Sequence, residues 1–563
     1  MAAVAPDNYR TLIGLYQVQF DAAIAAGEFE PFVYPKETLG ALILILYFLV
    51  PHDRFPLVHR ARVPLFIAIL ALEISTMRRC RSMYWSGGFG IGLISSWGLW
   101  WSFTMMLLND PQRLFKRIEW ADVVGHETEP QSTPNASNGN VFPVATSNED
   151  VSNGGLRHAA DKDDMATIQQ KAQPAISING RGRPIQPQMF KQRSRRYAWQ
   201  PYPVDSVRER LEWVADLMTN FRGIGWNWRI SGLPEAPREV LDQLGVEAKD
   251  SQDEFPPWKR GPTGNIRYMT RRALLRQKVA TFSICYVLLD LCKVILMCDP
   301  YFWGFIGHDP PNYLPSTVRE SHFLTKSYRL LLSLVSINAA LEAIFTMGPL
   351  FFSGILGERL IGARAEPWMY PDLYGSFWAV LDKGLAGWWG GWWHQIFRFA
   401  FAAPSTWIVD RYGLDRKSTP AKMLQVMIAF AISGSLHACG SYTQLPTTRP
   451  ITGPFLFFFI QSFGIIGQTA LVSLLKRYGM RDRCPKSLRL VGNFVFALVW
   501  LYFTAPLLTD DFARGGIWLF EPVPISPIRG LGYGLKGEGW WCWGGHWVHW
   551  HSGRHWWDSG LAF

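Results

Sequence analysis

The sequence predicts an all-α fold: a polytopic transmembrane helical bundle of about eight or nine spans, interrupted by a partly disordered extramembrane insertion. Three observations carry this expectation. Long apolar stretches recur between short charged connections. The chain holds 27 Trp among 563 residues, and indole favours the membrane–water interface, where its ring is apolar and its N–H is wet. One long polar segment, 118–272, separates two apolar halves and accounts for an average hydropathy near zero. No continuous apolar core fits a cleavable signal in the first 30 residues, so targeting is expected from the first internal span. The seven cysteines form no dense framework and read as reduced, packed thiols.

In chain order, the N-terminal region 1–117 supplies candidate spans at 39–50, 63–76 and 89–108. The first two fall short of the roughly 20 apolar residues that a perpendicular helix needs. In the insertion, 127–200 is rich in Ser, Asn, Pro, Gly and Gln and is expected to be disordered. Its sequon Asn135-Ala-Ser137 is expected to be cytosolic and unmodified. Residues 204–234 are expected to form an amphipathic helix and an interfacial turn. Ser206-Val-Arg-Glu209 fits a capping box, and Val207, Leu211, Val214, Met218 and Phe221 recur at helical spacing. The turn Phe221-Arg-Gly-Ile-Gly-Trp-Asn-Trp-Arg229 follows. Arg267, Arg271, Arg272, Arg276 and Lys278 then read as a polybasic collar on anionic lipid or a docking surface for an anionic substrate.

The expected catalytic core, 273–508, adds spans at 279–298, 328–352, 395–409, 423–441, 454–475 and 488–508. Charges inside spans are costly, so Asp290 and Lys293, three residues apart, are expected to pair. The tail, 509–563, packs His546, His549, His551 and His555 among tryptophans. It reads as an interfacial aromatic plug, and no metal site is expected because the spacing matches no standard zinc pattern.

Two histidines carry the chemistry. His394 closes the run Trp388-Trp-Gly-Gly-Trp-Trp393-His394-Gln395, with Arg398 one turn on. His437 lies inside an apolar span, on the helical face shared by Ser433, Gly434, Gly440 and Ser441. A stripe of small residues either lets another helix approach or leaves room for a ligand. An ionisable group at membrane depth is a functional hypothesis by default, and a desolvated imidazole stays neutral and able to accept a proton. His394, Gln395 and Arg398 can point together into a tunnel or sit in an aromatic belt. Arg411, Arg416 and Lys417 lie in the connection between the two histidines and fit either a phosphate contact or a juxtamembrane charge cluster. No P-loop, H-E-x-x-H, EF-hand loop or G-x-S-x-G elbow is present. The H-x-x-x-D pattern of soluble acyltransferases fails at both histidines, which Arg398 and Ser441 follow at the fourth position.

At Trp388–Arg398 and at Ser433-Gly-Ser-Leu-His437 the chain resembles the wax-synthase-like branch of the membrane-bound O-acyltransferases, especially fungal members of terpenoid and meroterpenoid pathways. Phe221–Pro234, Trp368–Trp378 and Pro527-Ile-Arg-Gly-Leu-Gly532 share that resemblance. Gly391 and Trp392 depart from it, standing where the motif often carries basic residues. The resemblance implies transfer of an acyl group, acetyl foremost, from acyl-CoA to a hydroxyl of a lipophilic secondary metabolite. His437 is the implied catalytic base and His394 its polar partner. Trp393, Gln395, Arg398, Ser433 and Ser441 are the expected contacts to substrate or CoA. The co-substrate is acetyl-CoA or a longer acyl-CoA, with no bound cofactor. The expected partners are that thioester, the alcohol and the bilayer, with no nucleic acid, in the endoplasmic reticulum or another endomembrane. A wax ester synthase is the alternative within this chemistry. A proton-coupled transporter is the alternative outside it, although the internal symmetry it predicts is not evident in the chain.

Overall fold

The computed structural model describes residues 6–83, 85–122, 195–246, 264–544 and 548–562. It divides into one unit of Met1–Trp120 with Tyr197–Phe563, and a second, Ala121–Arg196, that lies almost wholly outside the described residues. The disorder expected from 127 to 194, the sequon and His546 fall outside as well. Residues 195–200, placed in the disordered stretch from composition, instead form a strand, Arg195–Gln200.

The first unit is helical. Its principal helices are α1 (Tyr9–Ala25), α2 (Leu39–Leu49), α3 (Arg62–Arg79), α4 (Trp85–Ser102), α5 (Val207–Thr219), α6 (Arg271–Leu296) and α7 (His322–Pro349). They are followed by α8 (Trp378–Gly387), α9 (Arg398–Arg411), α10 (Thr419–Tyr442), α11 (Leu456–Arg477), α12 (Lys486–Thr504) and α13 (Pro506–Arg514). Each expected span is a helix. Among the described residues, six helical stretches are long and apolar enough to cross a membrane: Ser86–Leu108, Arg271–Leu296, His322–Ala365, Thr419–Tyr442, Ile451–Arg477 and Lys486–Arg514. The chain is thus a multi-pass integral membrane protein. The three doubtful segments became α2, α3 and α9, of 11, 18 and 14 residues. At 1.5 Å per residue α2 covers about half the hydrocarbon thickness. Leu488 and Val491 of α12 are exposed, as expected of a helix facing lipid.

Helix α10 is the hub, packing against α4, α9 and α11, while α6 packs on α7 and α8 on α12. Glycine sets the closest approaches. A Cβ on Gly440 would meet the Phe89 ring at 2.8 Å, and one on Gly434 would meet the Phe455 carbonyl at 2.8 Å. The stripe on α10 is therefore largely a packing seam.

Several sequence expectations are corrected here. The N-cap half of the capping box forms, with the Ser206 hydroxyl accepting from the Glu209 amide. The buried face of α5, however, is Trp213, Val214 and Leu217, while Val207 and Leu211 are 61% and 50% exposed. Trp213 decides this rotation by packing edge-on against Tyr202 and Trp226. Asp290 and Lys293 do not pair with each other. Asp290 accepts from the Ser526 hydroxyl and the Ile528 amide. Lys293 donates to the Trp518 and Leu519 carbonyls at 2.9 and 3.0 Å, with Glu521 at 3.8 Å. Backbone carbonyls of the segment after α13 satisfy a charge that sequence spacing had assigned within one helix.

The basic collar is also partly internal. Arg271 donates to the Ser353 and Gly354 carbonyls, and Arg267 to those of Glu235 and Ala236. Lys278 is buried on Asp372 at 2.8 Å. In the tail, His549–His551 and Gly560–Ala562 form a three-stranded sheet with Val33–Tyr34. Trp550 and Trp556 are left exposed at 67% and 84%.

Candidate active site

Both histidines line one cavity of about 2260 Å³, bordered chiefly by apolar side chains of α4, α6, α7 and α9–α12 and open to the outside along exposed side chains such as Phe323, Leu331 and Phe503. Single-ligand pockets hold roughly 300–1,000 Å³, so this space has room for two large substrates at once.

His437 reaches the cavity from the middle of α10. Its Nδ1 lies 2.8 Å from the Ser433 carbonyl, one helical turn back. A carbonyl only accepts, so Nδ1 carries the proton and Nε2 keeps its lone pair. Nε2 has no protein partner among the described residues. Phe458 of α11 stacks on the ring at 4.1 Å and fixes its plane. The result is a neutral imidazole with a fixed tautomer and a basic nitrogen uncommitted to protein.

His394 arrives differently. The indole–glycine run after α8 forms a π-helical turn over Trp388–Trp392, and His394 follows it before α9 begins. Gln395 holds that turn: its side-chain amide nitrogen Nε2 donates to the Trp389 and Trp393 carbonyls at 2.8 and 2.7 Å. Its Oε1 accepts from Arg398 at 3.0 Å. Gln395 lines the cavity, as expected of a substrate contact, with its amide hydrogen-bonded to the protein. Arg398 is oriented by Gln395 and lines the cavity. The His394 ring sits among Trp393, Phe397 and Tyr374. Its Nδ1 is buried without a hydrogen bond. His394 lies outside the six apolar spans. Removal from bulk water pulls its pKa down to about 3, and the nearby His437 and Arg222 act in the same direction. It is neutral at physiological pH.

Of the other expected contacts, Trp393 and Ser433 line the cavity. Ser441 does not. It is fully buried and donates to Asp511 of α13 at 2.6 Å, and Asp511 also accepts from the Arg449 amide. A polar residue on the correct helical face is here a tie between helices, and α13, which straddles the expected core–tail boundary at 508, packs on the bundle through this bond. Arg416 forms an exposed pair with Asp410, which favours the juxtamembrane reading of that cluster.

Sequence reading missed a polar group beside His394. Arg222 donates to the Pro371 and Asp372 carbonyls, and the Asp372 carboxylate accepts from Lys278 and Tyr268, each at 2.8 Å. Burial lowers the Arg222 pKa to about 10. Arg222 lies in the segment read as an interfacial turn and Asp372 in one singled out for resemblance, and nothing in either sequence shows that they meet.

Residues 370–460, which carry both histidines, match the Membrane bound O-acyl transferase family. An "O-Mevalon transferase macI" of Penicillium terrestre is 24% identical over 47% of this chain and 53% of its own length. An "O-Mevalon transferase yanI" of Aspergillus niger is 25% identical over 42% and 46%. An "Acetyltransferase spyB" of Aspergillus fumigatus is 23% identical over 54% and 48%. The chain therefore spans about half the length of these curated relatives. No solved structure matches. In the segment that holds both histidines, the chain resembles the membrane-bound O-acyl transferases.

Proposed function

We propose that the protein transfers an acyl group, acetyl foremost, from acyl-CoA to a hydroxyl of a lipophilic secondary metabolite of terpenoid type. The observation that carries this reading is His437, an imidazole whose Nδ1 is tied to the Ser433 carbonyl while its Nε2 is left uncommitted on a large apolar cavity. Nε2 takes the proton of the acceptor hydroxyl as the oxygen attacks the thioester carbonyl. The C–S bond then breaks, and the CoA thiolate leaves with a proton returned from the imidazolium. A thioester is already activated, so orientation and one proton transfer suffice without a covalent enzyme intermediate. His394, neutral and with its buried Nδ1 unpartnered, has one N–H to offer to the carbonyl oxygen as negative charge builds there.

The names of the relatives favour this class, one being an acetyltransferase and two O-mevalon transferases. The cavity volume accommodates a polycyclic alcohol, and its apolar walls favour one that arrives from lipid. We place the protein in the endoplasmic reticulum or another endomembrane. The test is to incubate membranes containing the protein with radiolabelled acetyl-CoA or palmitoyl-CoA and either a terpenoid alcohol or a linear long-chain alcohol. Label passing from acetyl-CoA to the terpenoid alcohol is the expected result. Transfer from palmitoyl-CoA to the linear alcohol alone makes the protein a wax ester synthase. No transfer in any combination overturns the acyltransferase reading.

A further inference from the structure

Away from the cavity, the turn between α2 and α3 meets the segment after α4. His52 and His59 come from that turn, and Asp110 precedes the short helix Pro111–Leu114. One ligand atom from each of the three residues lies within 4.8 Å of the other two.

We propose that His52, His59 and Asp110 form a binding site for a divalent transition metal of the zinc class. The set of two imidazoles and one carboxylate, with no thiolate, suits such an ion better than magnesium or calcium, which favour all-oxygen shells. Metal–ligand bonds of about 2.0–2.2 Å in tetrahedral geometry put ligand atoms roughly 3.3–3.5 Å apart. His59 Nε2 and Asp110 Oδ2 already stand 3.3 Å apart.

His52 supplies the independent observation. The residue is 3% exposed, and its Nε2 contacts the Tyr47 carbonyl at 3.1 Å. That contact requires Nε2 to donate, so Nδ1 holds a lone pair. Nδ1 is buried and has no hydrogen bond. An imidazole donating one N–H to a backbone carbonyl while its other nitrogen stays unpartnered is the arrangement that orients metal-bound histidines.

The surroundings are built rather than incidental. Gln112 accepts from the His52 amide at 2.9 Å and donates to the Phe48 and Val50 carbonyls at 3.0 and 2.9 Å. It thereby fixes the segment bearing Asp110 against the end of α2. The Asp110 side chain makes no capping bond to the helix it precedes, so its carboxylate remains available. His59 and Asp110 side chains are 23% and 22% exposed, which leaves an entry path and a fourth coordination position for water. The competing cation is Arg113, 3.8 Å from Asp110, and it is drawn off by Asp53 at 3.1 Å. An occupied site would join the end of α2, the start of α3 and the segment after α4.

The test uses the full chain, purified in detergent through an affinity tag that contains no histidine. Its zinc content is measured by mass spectrometry, and its melting temperature with and without added Zn²⁺. His59→Gln and Asp110→Asn change partly exposed side chains. A His549→Ala/His551→Ala double variant controls for the histidine-rich tail. The expected result is about one zinc per chain and a raised melting temperature in the wild type and the tail variant. Both should be lost in His59→Gln and Asp110→Asn. Absence of zinc and of any thermal shift in the wild type would mean an imidazole–carboxylate hydrogen bond alone, and overturns the proposal. Zinc and shift persisting in both site variants also overturn it, by placing the metal elsewhere.

Discussion

One stripe of small residues on α10 meets two different surroundings. At Ser433 and His437 the helix borders open cavity, whereas one turn further on Gly440 is filled by Phe89 and Ser441 is bonded to Asp511. The same residue types serve access in one place and packing in the other. The partner element decides which: α11 offers Phe458 as a flat wall beside the imidazole, while α4 and α13 press directly onto the glycine and serine.

This contrast can be broken at either end. Ser433→Leu puts bulk beside His437 inside the cavity. Misplacing the reacting groups by about 1 Å costs on the order of 10²-fold in rate, so activity should fall by that factor while the folded yield stays normal. Full activity in the variant would remove Ser433 from the substrate path. Gly440→Leu should act in the opposite way. Overpacking against Phe89 costs roughly 1–3 kcal/mol, read as a lower melting temperature and less folded protein. An unchanged melting temperature would mean that α4 and α10 do not meet as described.

Ser441→Ala leaves Asp511 short of one donor and should destabilise by about 1 kcal/mol, toward the low end of such losses because the Arg449 amide remains. The specific activity of the folded fraction should not change. A large loss of specific activity without loss of stability would return Ser441 to the substrate site.

A last expected effect concerns pH. His394 is held at about 3 in the folded protein against roughly 6.5 when unfolded. Protons then bind the unfolded chain more readily in that window. Its contribution to stability is present above about pH 6.5 and declines as pH falls toward 3. The rate itself should show no inflection from His394 near pH 6.5, and one that disappears in His394→Gln would contradict a neutral His394.

Much of this was legible in sequence because the signals were local. Apolar runs marked the helices, the capping box marked the start of α5, and both histidines sat in recognisable surroundings. What escaped depended on which distant segment arrives. The partners of Lys293 are carbonyls at Trp518 and Leu519, and that of Ser441 is a carboxylate 70 residues on. Periodicity names the face of a helix but not its neighbour, so Ser441 and Ser433 looked alike. The face of α5 failed for the same reason, since Trp213 found aromatic partners that outweighed the apolar count at Val207 and Leu211. His52, His59 and Asp110 gave no motif, because the two histidines are seven residues apart and the aspartate lies much further along the chain.

The central claim is that His437 acts as the base. Ester formation from acyl-CoA and a lipophilic alcohol should be compared in wild type and His437→Ala at matched amounts of folded protein. The account predicts a fall of about 10²–10⁴-fold in the variant with the melting temperature nearly unchanged. Ester formation within a few-fold of wild type would contradict it.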